Sequence, residues 1–505
     1  MSPASRQLVL CTQVWPEHKG AGSADRRLLP AALAVLAVVA ALLVASPGPA
    51  SAGPGFPAGE SASRTFTYEV RTRGTVYADV DVFKRVAAQT LNDRRGWSLG
   101  GSLRFREVAS GGSFTLWLAA PSELPKFSSI CSSQYSCRVG RNVVINDARW
   151  RTGTSVWPDV REYRHYVINH ELGHWLGRGH AGCPGAGGLA PVMQQQSIGL
   201  QGCRTNTWPL ASEKSAVAST WGVSVRSSRP DLYAIKQHGD AGTEVHVVDG
   251  AGNYAAWQGH FASIAGPTAP GDWDFAVADR NRDGVDDVVG IKRAGTSGKV
   301  EVHVLDGASG YRSWQLHVAT VTPRSAPGLW SFDVDDTNGD GYLDVIGINR
   351  FGTDGRTTVH VLDGAANFSR YLLHARTPIP HGDTDTWSYA VGDHDRDGVP
   401  DLYAIKRRGA SGATEVHVLD GATGFTSWSA HAVTPIPPAD ASWDFDVDDL
   451  DGDGWDEVYA IDRDGASGRT EVHVLADRTY ASFAAGAQTP LPVTDGVPGW
   501  RFAVD

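Results

Sequence analysis

The chain has 505 residues, of which 41% are hydrophobic and 20% charged, and its formal net charge is −11 at pH 7. This length exceeds one ordinary hydrophobic core and predicts two or three domains. The negative charge argues against a nucleic-acid partner and leaves no polybasic patch for a membrane surface.

The first 52 residues are typical of an export signal. Arg26 and Arg27 precede an apolar run over residues 28–45, and Ala50-Ser51-Ala52 follows as an A-x-A exit. We therefore expect a secreted protein that is cleaved after Ala52. The apolar run is nearly long enough to cross a bilayer, so an uncleaved N-terminal membrane anchor is the alternative.

The segment that follows mixes strands and helices. Alternating apolar residues predict strands over residues 66–70, 103–108, 113–118 and 142–146. Apolar residues at helical spacing predict a helix over residues 79–91, and a second helix is expected over about 160–177.

The second helix carries the motif H-E-x-x-H-x-x-G-x-x-H. His170 and His174 lie four residues apart and project from one helix face, and Gly177 lets the chain turn so that His180 returns as a third imidazole. Three neutral imidazoles with an open fourth position are typical of one catalytic Zn²⁺. Glu171 adjoins the first ligand and is the candidate catalytic base.

This motif resembles that of the metzincin metalloproteases, in which a methionine-containing turn lies beneath the zinc. Met193 matches that methionine, and the block over residues 166–196 is similar to secreted actinobacterial metzincin-like domains. The resemblance covers about residues 60–218 and implies an α+β catalytic domain with peptidase-type hydrolysis. It also implies an edge strand that holds an extended substrate. Ala181, which follows the third histidine, leaves the subfamily open.

Four cysteines follow the export signal, namely Cys131, Cys137, Cys183 and Cys203. An even number of cysteines in an exported chain indicates disulfide bonds, and four cysteines allow three pairings. We expect the two local pairs, Cys131 with Cys137 and Cys183 with Cys203. The second pair would clamp the loop that carries Met193, and ligation of a metal by cysteine is the alternative.

Residues 229–505 form a repeat array. A Val-His-Val segment recurs at intervals of 56 or 57 residues, with its histidine at His246, His303, His360, His417 and His473. A strand that starts with tryptophan also recurs, at Trp273, Trp330, Trp387, Trp443 and Trp500. A steady period of short strands predicts a β-propeller, here with five blades of four strands. We interpret the repeated histidines and tryptophans as blade architecture.

The two ends of the array predict a closed ring. Residues 230–236 match residues 400–406 in mid-array, so the last tryptophan strand would complete the first blade and remove the exposed sheet edges. Residues 221–225 are a competing candidate for that closing strand.

Each complete repeat also carries a nine-residue acidic loop with oxygen ligands at positions one, three, five and nine and a glycine at position six. The candidate ligands are Asp279, Asn281, Asp283 and Asp287 in loop 1; Asp336, Asn338, Asp340 and Asp344 in loop 2; Asp393, Asp395, Asp397 and Asp401 in loop 3; and Asp449, Asp451, Asp453 and Glu457 in loop 4. Hard oxygen ligands in a flexible loop suit Ca²⁺. The loops resemble the calcium-binding repeats of integrin-like propellers. A fifth loop is incomplete, because only Asp231 matches its last ligand.

These features predict a multidomain protein in which an α+β metzincin-like catalytic domain precedes an all-β propeller. The predicted function is that of a secreted zinc endopeptidase with one catalytic Zn²⁺, about four structural Ca²⁺ and a protein or peptide substrate. The propeller would dock it to a protein, a cell-wall polymer or another extracellular surface. Two alternatives are an extracellular adhesin with a non-catalytic zinc site and a cell-wall amidase.

Overall fold

A computed structural model describes residues 64–157, 159–240, 242–476 and 478–505. The expected export signal or anchor over residues 1–52 lies outside the described residues. Within the described ranges, no helix has both the length and the apolar character needed to cross a membrane.

The N-terminal part of the described chain is a small α/β region built on a five-stranded sheet. Its strands are β1 (Arg64–Arg73), β2 (Leu103–Glu107), β3 (Phe114–Ala119), β4 (Cys137–Val139) and β5 (Asn142–Asn146). The order across the sheet is β2-β1-β3-β5-β4. Neighbours among β1, β2, β3 and β5 are parallel, whereas β4 pairs antiparallel with β5 and forms one edge of the sheet.

The helices of this region are α1 (Val80–Asn92), α2 (Asp147–Thr152), α3 (Val160–Trp175) and α4 (Ala211–Trp221), with a short 3-10 helix at Pro121–Lys126. Helix α1 begins after Asp79, whose carboxylate accepts hydrogen bonds from the N–H groups of Asp81 and Val82. Phe83 and Leu91 are buried on one face of α1, in agreement with the predicted helical spacing.

Helix α4 was not predicted, and it overturns one interpretation of the sequence. Its last residue, Trp221, packs into the core of the α/β region, with its ring centroid 4.8 Å from that of Phe66 and 5.9 Å from that of Trp175. The interpretation of residues 221–225 as a blade strand is therefore wrong. The apolar residues of that segment fit a helix end that packs on the first sheet equally well.

The remaining described strands form five antiparallel sheets of four strands each. Blade I contains β9 (Trp273–Ala278), β10 (Asp287–Lys292), β11 (Lys299–Leu305) and β12 (Trp314–Pro323); blade II contains β13 (Trp330–Asp335), β14 (Asp344–Asn349), β15 (Arg356–Leu362) and β16 (Tyr371–Pro380). Blade III contains β17 (Trp387–Gly392), β18 (Asp401–Lys406), β19 (Glu415–Leu419) and β20 (Trp428–Val433); blade IV contains β21 (Trp443–Asp448), β22 (Glu457–Asp462), β23 (Arg469–Leu475) and β24 (Phe483–Pro492). Blade V contains β25 (Trp500–Val504), β6 (Leu232–Gly239), β7 (Gly242–Val248) and β8 (Trp257–Ala262).

This arrangement is a five-bladed β-propeller, as the repeat period predicted. The tryptophan strands β9, β13, β17, β21 and β25 are the inner strands, and each contacts the next around the ring. The first and last strands of the array meet in blade V, where β25 pairs antiparallel with β6 and Val504 lies opposite Leu232. That pairing confirms the predicted closure and leaves no open edge between the two ends of the array in the described structure.

Each of the first four Val-His-Val histidines faces a second histidine across the strand pair. The Nδ1–Nδ1 distances are 2.8 Å for His246–His260, 2.7 Å for His303–His317, 2.6 Å for His360–His374 and 2.7 Å for His417–His431. In each pair, one ring must donate the shared hydrogen and the other must accept it. The pairs therefore fit best when at least one imidazole is neutral.

We expect acid to destabilise the propeller through these pairs. Burial and the neighbouring His374 lower the pKa of His360 from its ordinary value of 6.5 to about 4. As the pH falls, the unfolded chain therefore takes up protons before the folded chain does. The contribution of the histidine pair to the free energy of unfolding is intact above pH 6.5 and is lost as the pH falls towards 4. In thermal unfolding at pH 7.5 and pH 5, His374→Gln should reduce the acid-induced drop in midpoint by about 2 °C or more. His381→Gln is the control, because His381 lies outside these strand pairs and its ring contacts the carbonyl oxygen of Gly352 instead of a second histidine. An equal pH response in all three proteins would contradict this expectation.

Candidate functional site

Helix α3 carries three residues of the predicted zinc motif. It begins after Asp159, whose carboxylate accepts a hydrogen bond from the N–H of Arg161. His170 and Glu171 are buried, and His174 lies one turn further along. The helix ends two residues earlier than predicted, at Trp175.

Gly177 turns the chain away from the helix axis, as predicted. Its φ is +95°, a left-handed value that a side chain would oppose. The N–H groups of Gly177 and Arg178 donate to the carbonyls of His174 and Gly173, which closes the helix end. This turn returns the chain towards α3 and brings His180 beside the two helical histidines.

The three imidazoles converge on one point. Their ring centroids are 4.9 Å apart for His170–His174, 5.4 Å for His170–His180 and 4.6 Å for His174–His180. The Nε2 atoms of His174 and His180 are 3.1 Å apart, and one nitrogen from each ring lies within 4.8 Å of the others. This spacing suits three ligands of one small cation.

Backbone carbonyls orient two of these rings. Nδ1 of His170 lies 2.8 Å from the carbonyl oxygen of Val192, and Nδ1 of His174 lies 2.9 Å from that of Arg178. Because a carbonyl can only accept, each Nδ1 donates, which leaves the Nε2 lone pair of a neutral ring facing the cluster. Burial lowers the pKa of His170 to about 3 and lowers those of His174 and His180, so the rings are neutral at pH 7.

Glu171 is the one acidic group of the motif. Its side chain is buried, and its Oε2 atom has no hydrogen-bond partner among the described residues. Burial raises the pKa of Glu171 to about 8. Glu171 and the three histidines line one cleft of about 390 Å³. A buried, unpartnered carboxylate oxygen beside three imidazole nitrogens is a donor set that fits a zinc ion and a nearby water.

Met193 lies directly beneath helix α3. It is 1% exposed, and a Cβ placed on Gly173 would be 2.3 Å from its Sδ atom and 3.0 Å from the ring of Trp97. The Met193 turn is held from the other side by Glu213, whose carboxylate accepts hydrogen bonds from the N–H groups of Val192 and Met193, each at 2.9 Å. Sequence reasoning missed Glu213. The available signal was a glutamate in the first turn of α4, which also accepts the N–H of Leu210.

Both predicted disulfide bonds are present. Cys131 pairs with Cys137, and Cys183 pairs with Cys203. The second bond brackets the loop that contains Met193. The loop therefore has two restraints, the disulfide and the Glu213 carboxylate.

We expect Gly173→Ala to disturb this packing strongly. The added methyl group cannot fit 2.3 Å from Met193 Sδ, so either α3 or the Met193 turn must shift. We expect a loss of about 1–3 kcal/mol in the free energy of unfolding, together with weaker zinc binding. Urea denaturation and zinc titration would measure both effects. Adding Met193→Ala should recover part of the loss. If Gly173→Ala alone were as stable as the parent, the close packing of Gly173 against Met193 would be contradicted.

The cleft also has an edge strand and two arginines in its wall. Strand β4 is the antiparallel edge of the sheet, and its residues Cys137 and Arg138 line the cleft. Arg178, in the turn that leads to His180, also lines the cleft. The sequence had predicted an edge strand beside the cleft without identifying it.

The four acidic loops each connect the inner strand of a blade to its second strand. In every loop, the carboxylate at position one accepts N–H bonds from positions five and six, as in Asp279 with Asp283 and Gly284. The same pattern occurs at Asp336, Asp393 and Asp449. The glycine at position six has a φ between +77° and +85° in all four loops.

The predicted ligands come together to different extents. Carboxylate oxygens of Asp393, Asp395 and Asp401 lie within 4.8 Å of one another in loop 3, and those of Asp449, Asp451 and Asp453 do so in loop 4. Asp397 and Glu457 lie outside these two triads. Loops 1 and 2 have an asparagine at position three, whose side-chain oxygen accepts the N–H of position five in both loops.

The acidic loops crowd buried carboxylates together. Burial, followed by the charges of neighbouring carboxylates, raises the pKa of Asp279 to about 8, and burial raises those of Asp287 and Asp344 to about 7. Burial also raises the pKa of Asp393 to about 7 and that of Asp401 to about 8. Carboxylates that ionise reluctantly by themselves are favourable positions for a divalent cation.

One segment in the N-terminal part of the chain and one in the propeller each match a known family model. Residues 50–217 match a family model described as "Protein of unknown function (DUF3152)". Residues 336–404 match a model described as "FG-GAP-like repeat". The propeller thus contains an FG-GAP-like repeat. The description of the first family names no activity.

None of the curated proteins matches the chain. Similar solved structures include a protein from Bifidobacterium bifidum s17 that is provisionally described as an exo-beta-1,3-galactanase, at 14% identity and a TM-score of 0.31, covering 54% of this chain and 96% of that one. A thermostable family-43 glycoside hydrolase has 9% identity and a TM-score of 0.27, covering 54% and 89%. An exo-beta-1,3-galactanase from Phanerochaete chrysosporium has 11% identity and a TM-score of 0.25, covering 50% and 66%. Likenesses at these TM-scores carry no argument about this chain.

Proposed function

We propose that this protein is an exported zinc-dependent endopeptidase of the metzincin type. The observation that carries the proposal is the convergence of His170, His174 and His180 beside the buried, unpartnered carboxylate oxygen of Glu171. A structural zinc site would be closed by a fourth protein ligand, whereas three imidazoles leave a position open towards the cleft. Met193 beneath the helix gives further support.

A zinc ion bound by the three imidazoles would supply Lewis acidity towards the substrate carbonyl. Glu171 would accept a proton from the attacking water, whose oxygen bonds to the carbonyl carbon. The same carboxyl group would return the proton to the leaving nitrogen as the C–N bond breaks. Burial of Glu171 suits this role, because a buried carboxylate oxygen without a hydrogen-bond partner among the described residues is available to accept a proton from water in the cleft.

Strand β4 would hold the substrate in an extended form. Its outer edge has no neighbouring strand in the described sheet, so its backbone can pair with a peptide in the cleft. Arg138 and Arg178 would lie near the bound peptide.

The four acidic loops would bind structural Ca²⁺, and the propeller would dock the enzyme to a protein or polymer outside the cell. Two disulfide bonds in the α/β region support export, since such bonds persist in oxidising compartments.

Digestion assays test the proposed activity. The purified protein should cleave unfolded casein and a peptide library, and a zinc chelator should stop the cleavage until zinc is restored. Peptidoglycan should remain intact in parallel reactions. Cleavage of peptidoglycan alone would favour the amidase alternative, and zinc binding without hydrolysis of any substrate would favour the adhesin.

A further inference from the structure

The acidic-loop face of the propeller contacts the N-terminal α/β region through arginines. Nε of Arg85 donates to the carbonyl oxygen of Asp340 in loop 2 at 2.8 Å, and Nη1 of Arg161 donates to that of Gly398 in loop 3 at 2.8 Å. Nη1 of Arg95 lies 3.7 Å from Oδ2 of Asp449 in loop 4. Loops 2, 3 and 4 are therefore each contacted by an arginine of the α/β region.

In blades I to IV, the last ligand of each loop directly opens the second strand. The carboxylates of Asp287, Asp344 and Asp401 each make two backbone hydrogen bonds. One oxygen accepts the N–H of a glycine twenty residues later, at Gly307, Gly364 and Gly421. The other oxygen accepts the N–H of loop position two, at Arg280, Thr337 and His394.

Asp231 holds the matching position in blade V. It precedes β6, and its backbone pairs with that of Asp505 at the end of β25. Its Oδ1 accepts the N–H of Gly250 at 2.8 Å, which reproduces the glycine contact of the other blades. Its Oδ2, however, is contacted by the guanidinium of Arg94 instead of a loop N–H.

Arg94 bridges two buried carboxylates at this point. Its Nη2 atom lies 3.3 Å from Oδ2 of Asp231 and 3.2 Å from Oδ2 of Asp286. The two carboxylate side chains are 4% and 12% exposed. Asp286 also accepts the hydroxyl of Tyr233 at 2.7 Å. Two buried carboxylates side by side require a compensating positive charge, and the planar guanidinium supplies one with directed N–H donors.

We propose that Arg94 is the cation of blade V, so that its guanidinium occupies the position at Asp231 Oδ2 where the matching carboxylates of blades I to III accept a loop N–H, and supplies the positive charge that Ca²⁺ would supply in the other four blades. This inference rests on the proposed calcium sites for the comparison, while the Arg94 contact itself does not require calcium. Because Arg94 belongs to the α/β region, the contact fastens that region to the blade in which β25 meets β6. A guanidinium does not dissociate as a metal ion does, so this attachment persists when calcium is withdrawn.

Trypsin cleavage after Arg226, in the segment that joins the two parts of the chain, tests the proposal. Arg94→Ala should raise the cleavage rate by about tenfold, since it leaves two buried carboxylates without their cation. Arg94→Lys should give a smaller increase, because the charge remains but the bidentate fork is lost. Arg71→Ala is the matched control, since Arg71 is 51% exposed and pairs with Glu69 inside β1. Its rate should equal that of the parent.

A double-mutant cycle makes the test specific. Asp231→Asn removes the charge that Arg94 compensates, so adding it to Arg94→Ala should slow cleavage relative to Arg94→Ala alone. Purely additive effects, or a parental rate for Arg94→Ala, would overturn the proposal. The cycle is repeated with EGTA. Coupling between Arg94 and Asp231 that persists in EGTA supports the proposal even if the protein binds no calcium. The absence of calcium binding and the absence of the Arg94 contact therefore give different results.

Discussion

Glu171→Gln should reduce peptide hydrolysis by about 10²- to 10⁴-fold while zinc binding stays unchanged. Glutamine has nearly the same size and shape as glutamate, so it should fill the buried position without disturbing the three imidazoles. It cannot take a proton from water at neutral pH, because an amide is not a base there. Steady-state cleavage of a fluorogenic peptide and zinc content by atomic emission measure the two quantities on the same sample.

Glu162→Gln is the matched control for this variant. Glu162 is on the same helix, but its side chain accepts a hydrogen bond from Thr207 and is not among the residues that line the cleft at the three histidines. The control should keep activity within a few-fold of the parent, on the order of the effect of losing one hydrogen bond. Hydrolysis by Glu171→Gln at the parental rate would contradict the proposed role of Glu171. Loss of zinc from Glu171→Gln would instead mean that the carboxylate contributes to metal binding.

Removal of calcium should lower the thermal unfolding midpoint of the propeller by about 10 °C or more. A ligand at a free concentration 100 times its Kd stabilises the folded state by about 2.7 kcal/mol per site. Four proposed sites act together, and each kcal/mol is worth about 2–4 °C in a domain of this size. The physical origin is the crowding of carboxylates within each loop. Asp279 is repelled by the other carboxylates of loop 1, and Asp401 by those of loop 3, when no cation lies between them.

Differential scanning calorimetry in calcium and in EGTA measures this shift. Asp393→Asn should reduce the difference between the two conditions, because Asp393 is at position one of loop 3 and belongs to its carboxylate triad. Asp385→Asn, an exposed aspartate outside the loops, should leave the difference unchanged. Equal midpoints in calcium and EGTA would contradict the structural role that we assign to the loops.

The features that could be predicted from the sequence are those that a short segment encodes by itself. The histidines of α3 lie on one face because of helical spacing, and Gly177 marks the turn that follows it. The five blades could be predicted because one strand pattern repeats at a steady interval. The pairing of Cys183 with Cys203 could be predicted because the four cysteines are spaced along the chain as two local couples.

The features that escaped prediction depend on contacts between distant segments. Glu213 lies about twenty residues from the Met193 turn that it holds, and no local pattern links the two. The histidine partner of each of the first four Val-His-Val histidines lies on the next strand, and its role emerges only when the register is known. Arg94 and Asp231 are 137 residues apart in the sequence. Their meeting depends on how the α/β region packs against the propeller.

The most direct test of a metal centre at the three histidines is anomalous diffraction at the zinc edge from crystals of Glu171→Gln grown with zinc. A single strong peak should lie about 2.0–2.1 Å from one nitrogen each of His170, His174 and His180, with the fourth position open to the cleft. A peak at another site, three rings that point apart, or a fourth ligand from the protein itself would contradict a catalytic zinc centre in this chain.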